Sequence, residues 1–166
     1  MKRILIVLFM LILIGCAPQT ARTEQPIPTS LPSTMSEAHD ALINFLTLLH
    51  TKKYTDAVPL YGGDYEQLQV FNTEIDSSDH LALWTWACDH QLLQCLEVRS
   101  ATFEQLVADS YIFQVEFNNS DGSLFVLGPC CGANETDMPP VSQFEYTVTR
   151  NADGNFVVMN MPPYVP

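Results

Sequence analysis

The sequence predicts an α+β domain in which helices come first and an antiparallel sheet follows. Two patterns indicate this order. Apolar residues recur every three or four positions across residues 38–49, which is the spacing of one buried helix face. After Leu96 apolar and polar residues alternate, most clearly across residues 111–118, which is the spacing of a half-buried strand.

Three helices are predicted. The first begins at Ser36, an N-cap residue, and ends near Lys52 and Lys53, where positive charge favours a helix C-terminus. A second, short helix covers residues 54–60 and is stopped by a proline or by the glycine pair after it. A third covers residues 78–93, and its predicted apolar face consists of Leu81, Trp84, Cys88 and Leu92.

The strands are predicted as two hairpins after a first strand at residues 96–107. Residues 111–118 form the second strand, residues 119–122 turn, and residues 123–127 return beside it. A further hairpin joins residues 144–148 to residues 156–159 through a turn at Asp153 and Gly154.

The first sixteen residues have the features of an export signal. Lys2 and Arg3 precede an apolar run at residues 4–14, which as a helix would extend about 16 Å, too short for a ~30 Å hydrocarbon core. The run ends in Gly15-Cys16 and resembles a bacterial lipoprotein signal peptide. The resemblance implies cleavage before Cys16 and attachment of acyl chains, such as palmitate, to that cysteine.

These features divide the chain into three parts. Residues 1–15 are predicted to be the signal peptide, and residues 16–35 a lipidated cysteine with a tether rich in Pro, Thr and Ser. Residues 36–166 are predicted to form a single globular domain. We expect the protein to be exported and held on the outer face of the cell membrane, or at an outer membrane where one is present.

Charge excludes some partners. The formal net charge is −12, and loss of Lys2 and Arg3 with the signal would bring it to −14. So acidic a chain lacks the cations that neutralise nucleic-acid phosphates, and anionic lipid headgroups would repel it. The predicted contact with the membrane is therefore through acyl chains on Cys16.

Four cysteines remain for disulfides in an exported chain: Cys88, Cys95, Cys130 and Cys131. On one continuous helix Cys88 and Cys95 would lie ~10 Å apart, too far for a bridge. Either the helix ends between them, or each pairs with one of the other two; we favour the second arrangement because adjacent cysteines rarely bond to each other. A zinc site is disfavoured because the spacing matches no closed zinc pattern. No metal or other cofactor is expected.

The predicted domain resembles the nuclear-transport-factor-two-like (SnoaL-like) superfamily, especially its secreted bacterial lipoproteins. The resemblance lies in an opening helix with Ala38, Ala41, Leu42, Phe45 and Leu46, in Lys53-Tyr54 followed by Ala57, and in the Leu60-Tyr61 end. It implies helices packed on a curved antiparallel sheet that encloses a cone-shaped cavity. Members include isomerases, dehydratases and domains without catalysis, so the fold does not select a function.

No catalytic serine elbow, phosphate-binding glycine loop or paired-histidine metal motif is present in the sequence. In the adjacent pairs Asp79-His80 and Asp89-His90 the side chains diverge, which argues against ready-made catalytic dyads. Two functional hypotheses follow. The favoured one is a non-catalytic module that binds a small apolar ligand, a peptide or an envelope protein; the alternative is a cavity enzyme of the isomerase or dehydratase type. The candidate pocket or surface residues are Trp84, Trp86, Asp89 and His90.

Overall fold

The computed structural model describes residues 33–165 and shows an α+β arrangement, with the helices first and the sheet second. The predictions for the signal peptide, for Cys16 and for most of the tether lie outside the described residues. No helix within residues 33–165 has the length and apolar character needed to cross a membrane. The elements are α1 (Ser33–His50), α2 (Tyr54–Ala57), a 3-10 turn (Val58–Leu60), α3 (Glu66–Phe71), α4 (His80–Asp89), β1 (Glu97–Val107), β2 (Ser110–Asn118), β3 (Phe144–Arg150) and β4 (Phe156–Val158).

The four strands form one antiparallel sheet in the order β1-β2-β3-β4. The sheet is curved and does not close on itself. Register shifts in β1, between Val98 and Ser100 and between Phe103 and Gln105, contribute to the curvature because a bulge bends the strand that carries it. The predicted α+β class is therefore confirmed.

The core lies between the helices and one face of the sheet. Alternate residues of β2 are buried there because side chains of a strand point to opposite faces in turn. Helix α1 packs against β1, β3 and β4, and its apolar stripe includes Leu42, Phe45 and Leu49, all of which are buried. The largest fully buried side chains of the core are Trp84, Tyr146, Phe45, Phe113 and Phe117.

Helix α1 begins at Ser33 rather than at the predicted Ser36. The last residues assigned to the tether therefore belong to the helix. Met35 accounts for the difference, since its side chain is buried and gives the helix an additional apolar residue at its start.

The predicted return strand at residues 123–127 is wrong. This segment makes only isolated bridges, between Asn118 and Leu124 and between Leu127 and Val141. The reason is that β2 is a central strand: β1 occupies one of its edges along the whole length, and β3 occupies the other edge at residues 111–115. Only the end of β2 is left for the returning chain, where the Phe125 amide donates to the Phe117 carbonyl at 2.9 Å.

Helix α4 is shorter than predicted, and its buried face differs. Its first turn is capped by Asp79, whose carboxylate accepts from the Ala82 amide at 3.0 Å. The helix ends at Asp89, and Leu81, which was placed on the apolar face, is 42% exposed. The buried residues are Leu83, Trp84 and Ala87.

The glycine pair after the 3-10 turn allows a close approach to β4. The Gly62 amide donates to the Val158 carbonyl at 2.9 Å. A Cβ atom at Gly63 would lie 2.5 Å from the Met159 carbonyl oxygen, closer than real contacts permit. Proline at position 59 does not stop the preceding helix; it lies inside the 3-10 turn, where its fixed φ is tolerated.

Candidate functional site

A cleft of about 560 Å³ lies where the C-terminal ends of α1 and α4 meet the turn that follows β2. It combines one ion pair, a second carboxylate on Asp121, the His50 ring, a disulfide and several uncharged polar side chains. Its lining residues are Leu49, His50, Lys52, Tyr54, Cys88, Asp89, Gln91, Leu93, Gln94, Cys95, Leu96, Asn119, Ser120 and Asp121.

The end of α1 positions the first wall of the cleft. Lys52 has a φ of 60°, the left-handed conformation that commonly terminates a helix. The Lys53 amide donates back to the Leu48 carbonyl at 2.8 Å and the Lys52 amide to the Leu49 carbonyl at 3.1 Å, the pattern of a Schellman motif. This reversal places Lys52 and Tyr54 beside the last residue of α4.

Asp89 is the centre of a short hydrogen-bond network. One of its carboxylate oxygens accepts from the Lys52 ammonium at 2.8 Å and from the Tyr54 hydroxyl at 3.0 Å. The hydrogen bonds from Lys52 and then Tyr54 hold the pKa of Asp89 below its ordinary value. Burial, together with the bond to Asp89, raises the pKa of Tyr54 to about 12. At neutral pH the network is therefore a fixed ion pair with a protonated phenol, which suits ligand positioning more than proton transfer.

A disulfide between Cys88 and Cys95 forms another part of the cleft, with 5.6 Å between the two Cα atoms. The favoured pairing of these cysteines with Cys130 and Cys131 is wrong. The bridge is allowed because α4 ends at Asp89, between the two cysteines, so that the chain turns back instead of rising along a helix. Cys130 and Cys131 are free.

His50, which we expected to be an exposed residue at the end of the first helix, is exposed there and also lines the cleft. Its Nδ1 atom lies 3.2 Å from the Cys95 carbonyl oxygen, which links the end of α1 to the chain after the disulfide. The end of α1 is therefore joined to the end of α4 and the chain after it by two contacts, His50 with Cys95 and Lys52 with Asp89.

The other predicted candidates do not meet Asp89 in the cleft. Trp84 is fully buried and donates from its indole Nε1 to the Tyr65 hydroxyl at 3.1 Å. His90 turns back over α4: its Nδ1 lies 2.9 Å from the Trp86 carbonyl oxygen, and its ring stacks on the Trp86 indole with 5.2 Å between centroids. Because residues two positions apart on a helix point in different directions, Trp84 is buried and Trp86 is only half-buried.

Sequence reasoning missed Lys52, Tyr54, Gln94 and the turn at residues 119–121 as members of one site. Lys52 was interpreted as a charge at a helix end, and the turn only as a hairpin signal. The position of Lys52 depends on its left-handed backbone conformation after α1. Lysine is rare in that conformation, so the sequence offered no reason to predict it there.

The cysteines, histidines and carboxylates of residues 33–165 do not form any cluster of three or more that could hold a metal ion. The zinc alternative would have combined Cys88, His90 and Cys95 with the later cysteines. The disulfide takes two of these ligands, and His90 points to Trp86 instead. Comparison with known proteins adds no assignment: no family profile matches the chain, and no curated protein matches it significantly.

Proposed function

We propose that this protein is a lipid-anchored, extracytoplasmic binding module without catalytic activity, and that its cleft between α1 and α4 holds a small polar ligand. The observation that carries the proposal is the cleft of about 560 Å³, a size typical of small-molecule sites. Its walls are fixed by the disulfide and by the Lys52–Asp89 ion pair, so little ordering of the protein is needed when a ligand binds.

The lining favours a polar ligand over the apolar one expected from the sequence. Gln91, Gln94, Asn119 and Ser120 offer both donors and acceptors, and the single lysine is already paired with Asp89. An uncharged molecule with several hydroxyl or amide groups would match these side chains.

The anchoring part of the proposal rests on the sequence of residues 1–16. The test is metabolic labelling with a fatty acid in the natural chain and in Cys16→Ser. We expect label only in the natural chain, and label that persists in Cys16→Ser would contradict lipidation. The acyl chains would hold the domain at the membrane despite the net charge of −14 that remains once Lys2 and Arg3 are removed with the signal.

We also propose that the domain has the nuclear-transport-factor-two-like fold. The order of helices before a curved, open antiparallel sheet supports this, as does the packing of α1 across β1, β3 and β4. A crystal structure with a flat sheet, or with strands that close it into a barrel, would contradict the assignment.

The cavity-enzyme alternative requires two titratable side chains that converge in one cavity. Asp79 and His90 are exposed, and Asp89 is engaged by Lys52. His80 stacks on Tyr65 with 3.8 Å between ring centroids. His50 and Asp121 also line the cleft, but His50 contacts the Cys95 carbonyl oxygen and Asp121 accepts from Ser123, and neither is hydrogen-bonded to Asp89. No specific observation within residues 33–165 therefore favours this alternative.

Ligand binding can be tested by mass spectrometry of small molecules that co-purify with the full chain in detergent. Ser120→Trp would fill the cleft, because Ser120 lines it and is exposed. Ser77→Trp is the matched control, since Ser77 is exposed and does not line the cleft. We expect a polar compound with the natural chain and with Ser77→Trp but not with Ser120→Trp. Equal recovery from all three, or recovery of none, would contradict the proposal.

A further inference from the structure

Two thiols are in contact in the loop between β2 and β3, outside the lining of the cleft. Cys130 and Cys131 are free, and their Sγ atoms lie 2.6 Å apart. This separation is only about 0.6 Å longer than the ~2.04 Å of a disulfide bond, so a small movement would allow the two sulfurs to bond. Cys131 is exposed and Cys130 is half-buried, so a reagent in solution reaches Cys131 first.

The backbone explains why these adjacent side chains meet. Adjacent cysteines rarely bond to each other, because a trans peptide places their Cα atoms ~3.8 Å apart, less than the roughly 4.4–6.8 Å found in most disulfides. Here Cys131 and Gly132 have φ values of 61° and 86°, and the Ala133 amide donates to the Cys130 carbonyl at 2.9 Å. Two successive residues at positive φ closed by such a bond are the pattern of a type I′ turn. The turn therefore brings together two thiols that extended backbone would separate.

Hydrogen bonds hold this turn within the loop. The Leu127 amide donates to the Val141 carbonyl at 2.8 Å and the Val141 amide to the Leu127 carbonyl at 2.9 Å, which closes the base of the loop. The Cys130 amide donates to the Met138 Sδ atom at 3.4 Å, and the Met138 amide donates to the Asn134 carbonyl at 2.9 Å. The backbone that carries the two thiols is thus fixed from both sides.

The rest of the chain indicates which chemistry is open to the loop pair, Cys130 and Cys131. The disulfide at the cleft is typical of a chain that matures where thiols are oxidised. Residues 119–143 contain no Lys, Arg or His, so they lack the positive charge that lowers the pKa of thiols in catalytic redox sites. The hydrogen bond to Cys131 instead raises the pKa of the Cys130 thiol. These features suit a pair that is oxidised by another disulfide more than one that catalyses exchange in other proteins.

We propose that Cys130 and Cys131 are a reversible redox modification site, which closes to a disulfide between adjacent residues by exchange with a small-molecule disulfide. The Cys131 thiolate attacks one sulfur of the small disulfide, whose S–S bond breaks, and one small thiolate leaves. The Cys130 thiolate then attacks the Cys131 Sγ atom, so that the bond between the two cysteines forms and the second small thiolate leaves. The two cysteines lose two protons and two electrons in total, and these convert the small disulfide into two thiols.

This bond should be easier to reduce than the Cys88–Cys95 bridge. The Cα atoms of Cys88 and Cys95 lie 5.6 Å apart, within the usual range, whereas those of two adjacent residues lie closer together than that range. A disulfide that is exposed and outside the usual geometry is more readily reduced. The chain would therefore carry one permanent disulfide at the cleft and one reversible disulfide in the loop.

The positions of Lys and Arg allow the two pairs to be measured separately. Trypsin cuts after these residues, so the cleft disulfide falls in residues 54–99 and the loop pair in residues 100–150, each without any other cysteine. The full chain in detergent is equilibrated anaerobically in buffers of increasing ratio of 2-mercaptoethanol to its uncharged disulfide. The exchange is stopped with acid, free thiols are labelled with N-ethylmaleimide, and mass spectrometry counts the labels on each tryptic peptide.

In the oxidising buffers we expect the peptide of residues 100–150 to carry no label and to be two hydrogens lighter than its dithiol form. In the reducing buffers it should carry two labels, while the peptide of residues 54–99 stays unlabelled up to a ratio at least about tenfold higher. Two labels on residues 100–150 in the most oxidising buffer would overturn the proposal. A mixed disulfide with mercaptoethanol there, or a link to residues 54–99, would overturn it equally, and reduction of both pairs at one ratio would refute the reversible character of the loop bond.

Two glycine variants test the part that the turn plays. In Gly132→Ala the added Cβ has no atom within 4 Å, so the change acts only through the positive φ of 86°. Gly128→Ala is the matched control, because it lies in the same loop, is equally open and has no positive φ. We expect Gly132→Ala to need a buffer about tenfold more oxidising than Gly128→Ala, because the closed ring holds the left-handed turn whereas the open thiols let it relax. Equal ratios in the two variants would refute the role of the turn.

Discussion

Among residues 33–165, only the Tyr146 hydroxyl is a fully buried side-chain polar atom without a hydrogen-bond partner. Burial raises the pKa of this phenol, because the charged form would lose its solvation. The Tyr54 hydroxyl differs, since it donates to Asp89. The two tyrosines therefore allow a direct comparison of a hydroxyl with a partner and one without.

We predict that Tyr146→Phe leaves the free energy of unfolding unchanged or raises it by about 1 kcal/mol. The reason is that the folded protein no longer has to bury a hydroxyl that makes no hydrogen bond. Tyr54→Phe should lower the same quantity by about 1 kcal/mol, because a hydrogen bond to a carboxylate is lost. Urea denaturation of both variants checks this. A loss of more than about 1 kcal/mol in Tyr146→Phe would show that the hydroxyl has a partner in solution.

Asp89 gives a prediction about pH. Because its folded pKa is lowered, the network stabilises the fold above the ordinary carboxyl value of 3.8 and loses this contribution as pH falls through the folded pKa. Lys52→Met should raise the pKa of Asp89 towards its ordinary value, since the ammonium is the largest cause of the shift.

The measurement is an NMR titration of the Asp89 carboxyl carbon. Lys53→Met serves as the control, because within the described chain Lys53 makes no ion pair. An identical Asp89 pKa in both variants would refute the assigned cause.

At the scale of elements, the sequence predicted helices and strands well where one periodic pattern determined burial. The stripe of α1 and the alternation of β2 both became core faces. The prediction failed for residues 123–127, whose turn signal was correct but whose partner edge is occupied by β3. Competition for a strand edge is not visible in local sequence.

The disulfide is the element-scale feature with the clearest expected effect. Replacing Cys88 and Cys95 with alanine should lower the free energy of unfolding by about 2.5 kcal/mol, the loop-entropy value for so short a loop. Cys130→Ser/Cys131→Ser is the matched control, since these residues lie in an exposed loop, and should change it by less than about 0.5 kcal/mol. Chemical denaturation without reductant compares them, and similar losses in both would argue against the Cys88–Cys95 pairing.

The whole molecule is strongly acidic, with a formal net charge of −12, and among residues 33–165 only two ion pairs join a Lys or Arg side chain to a carboxylate. Repulsion between carboxylates should therefore outweigh the ion pairs, and salt should stabilise the fold by screening it. We predict a higher Tm at about 0.15 M NaCl than at about 0.01 M, where the screening length is three to four times longer. The Tm is measured by circular dichroism. The same measurement in KCl is the control, because it shows whether the effect requires sodium ions specifically. A fall in Tm with either salt would contradict the prediction.

The sequence by itself determined the class of fold, and it supplied the export and lipidation hypothesis and the expectation that nucleic acid is not a partner, because periodicity, apolar length and net charge are local or additive properties. Tertiary structure decided which cysteines pair and which side chains share a site. Asp89 meets Lys52 and Tyr54 only because α1 ends in a left-handed turn, and Cys88 reaches Cys95 only because α4 stops at Asp89. Both depend on where helices end, which the packing of the whole domain sets and no short stretch of sequence specifies.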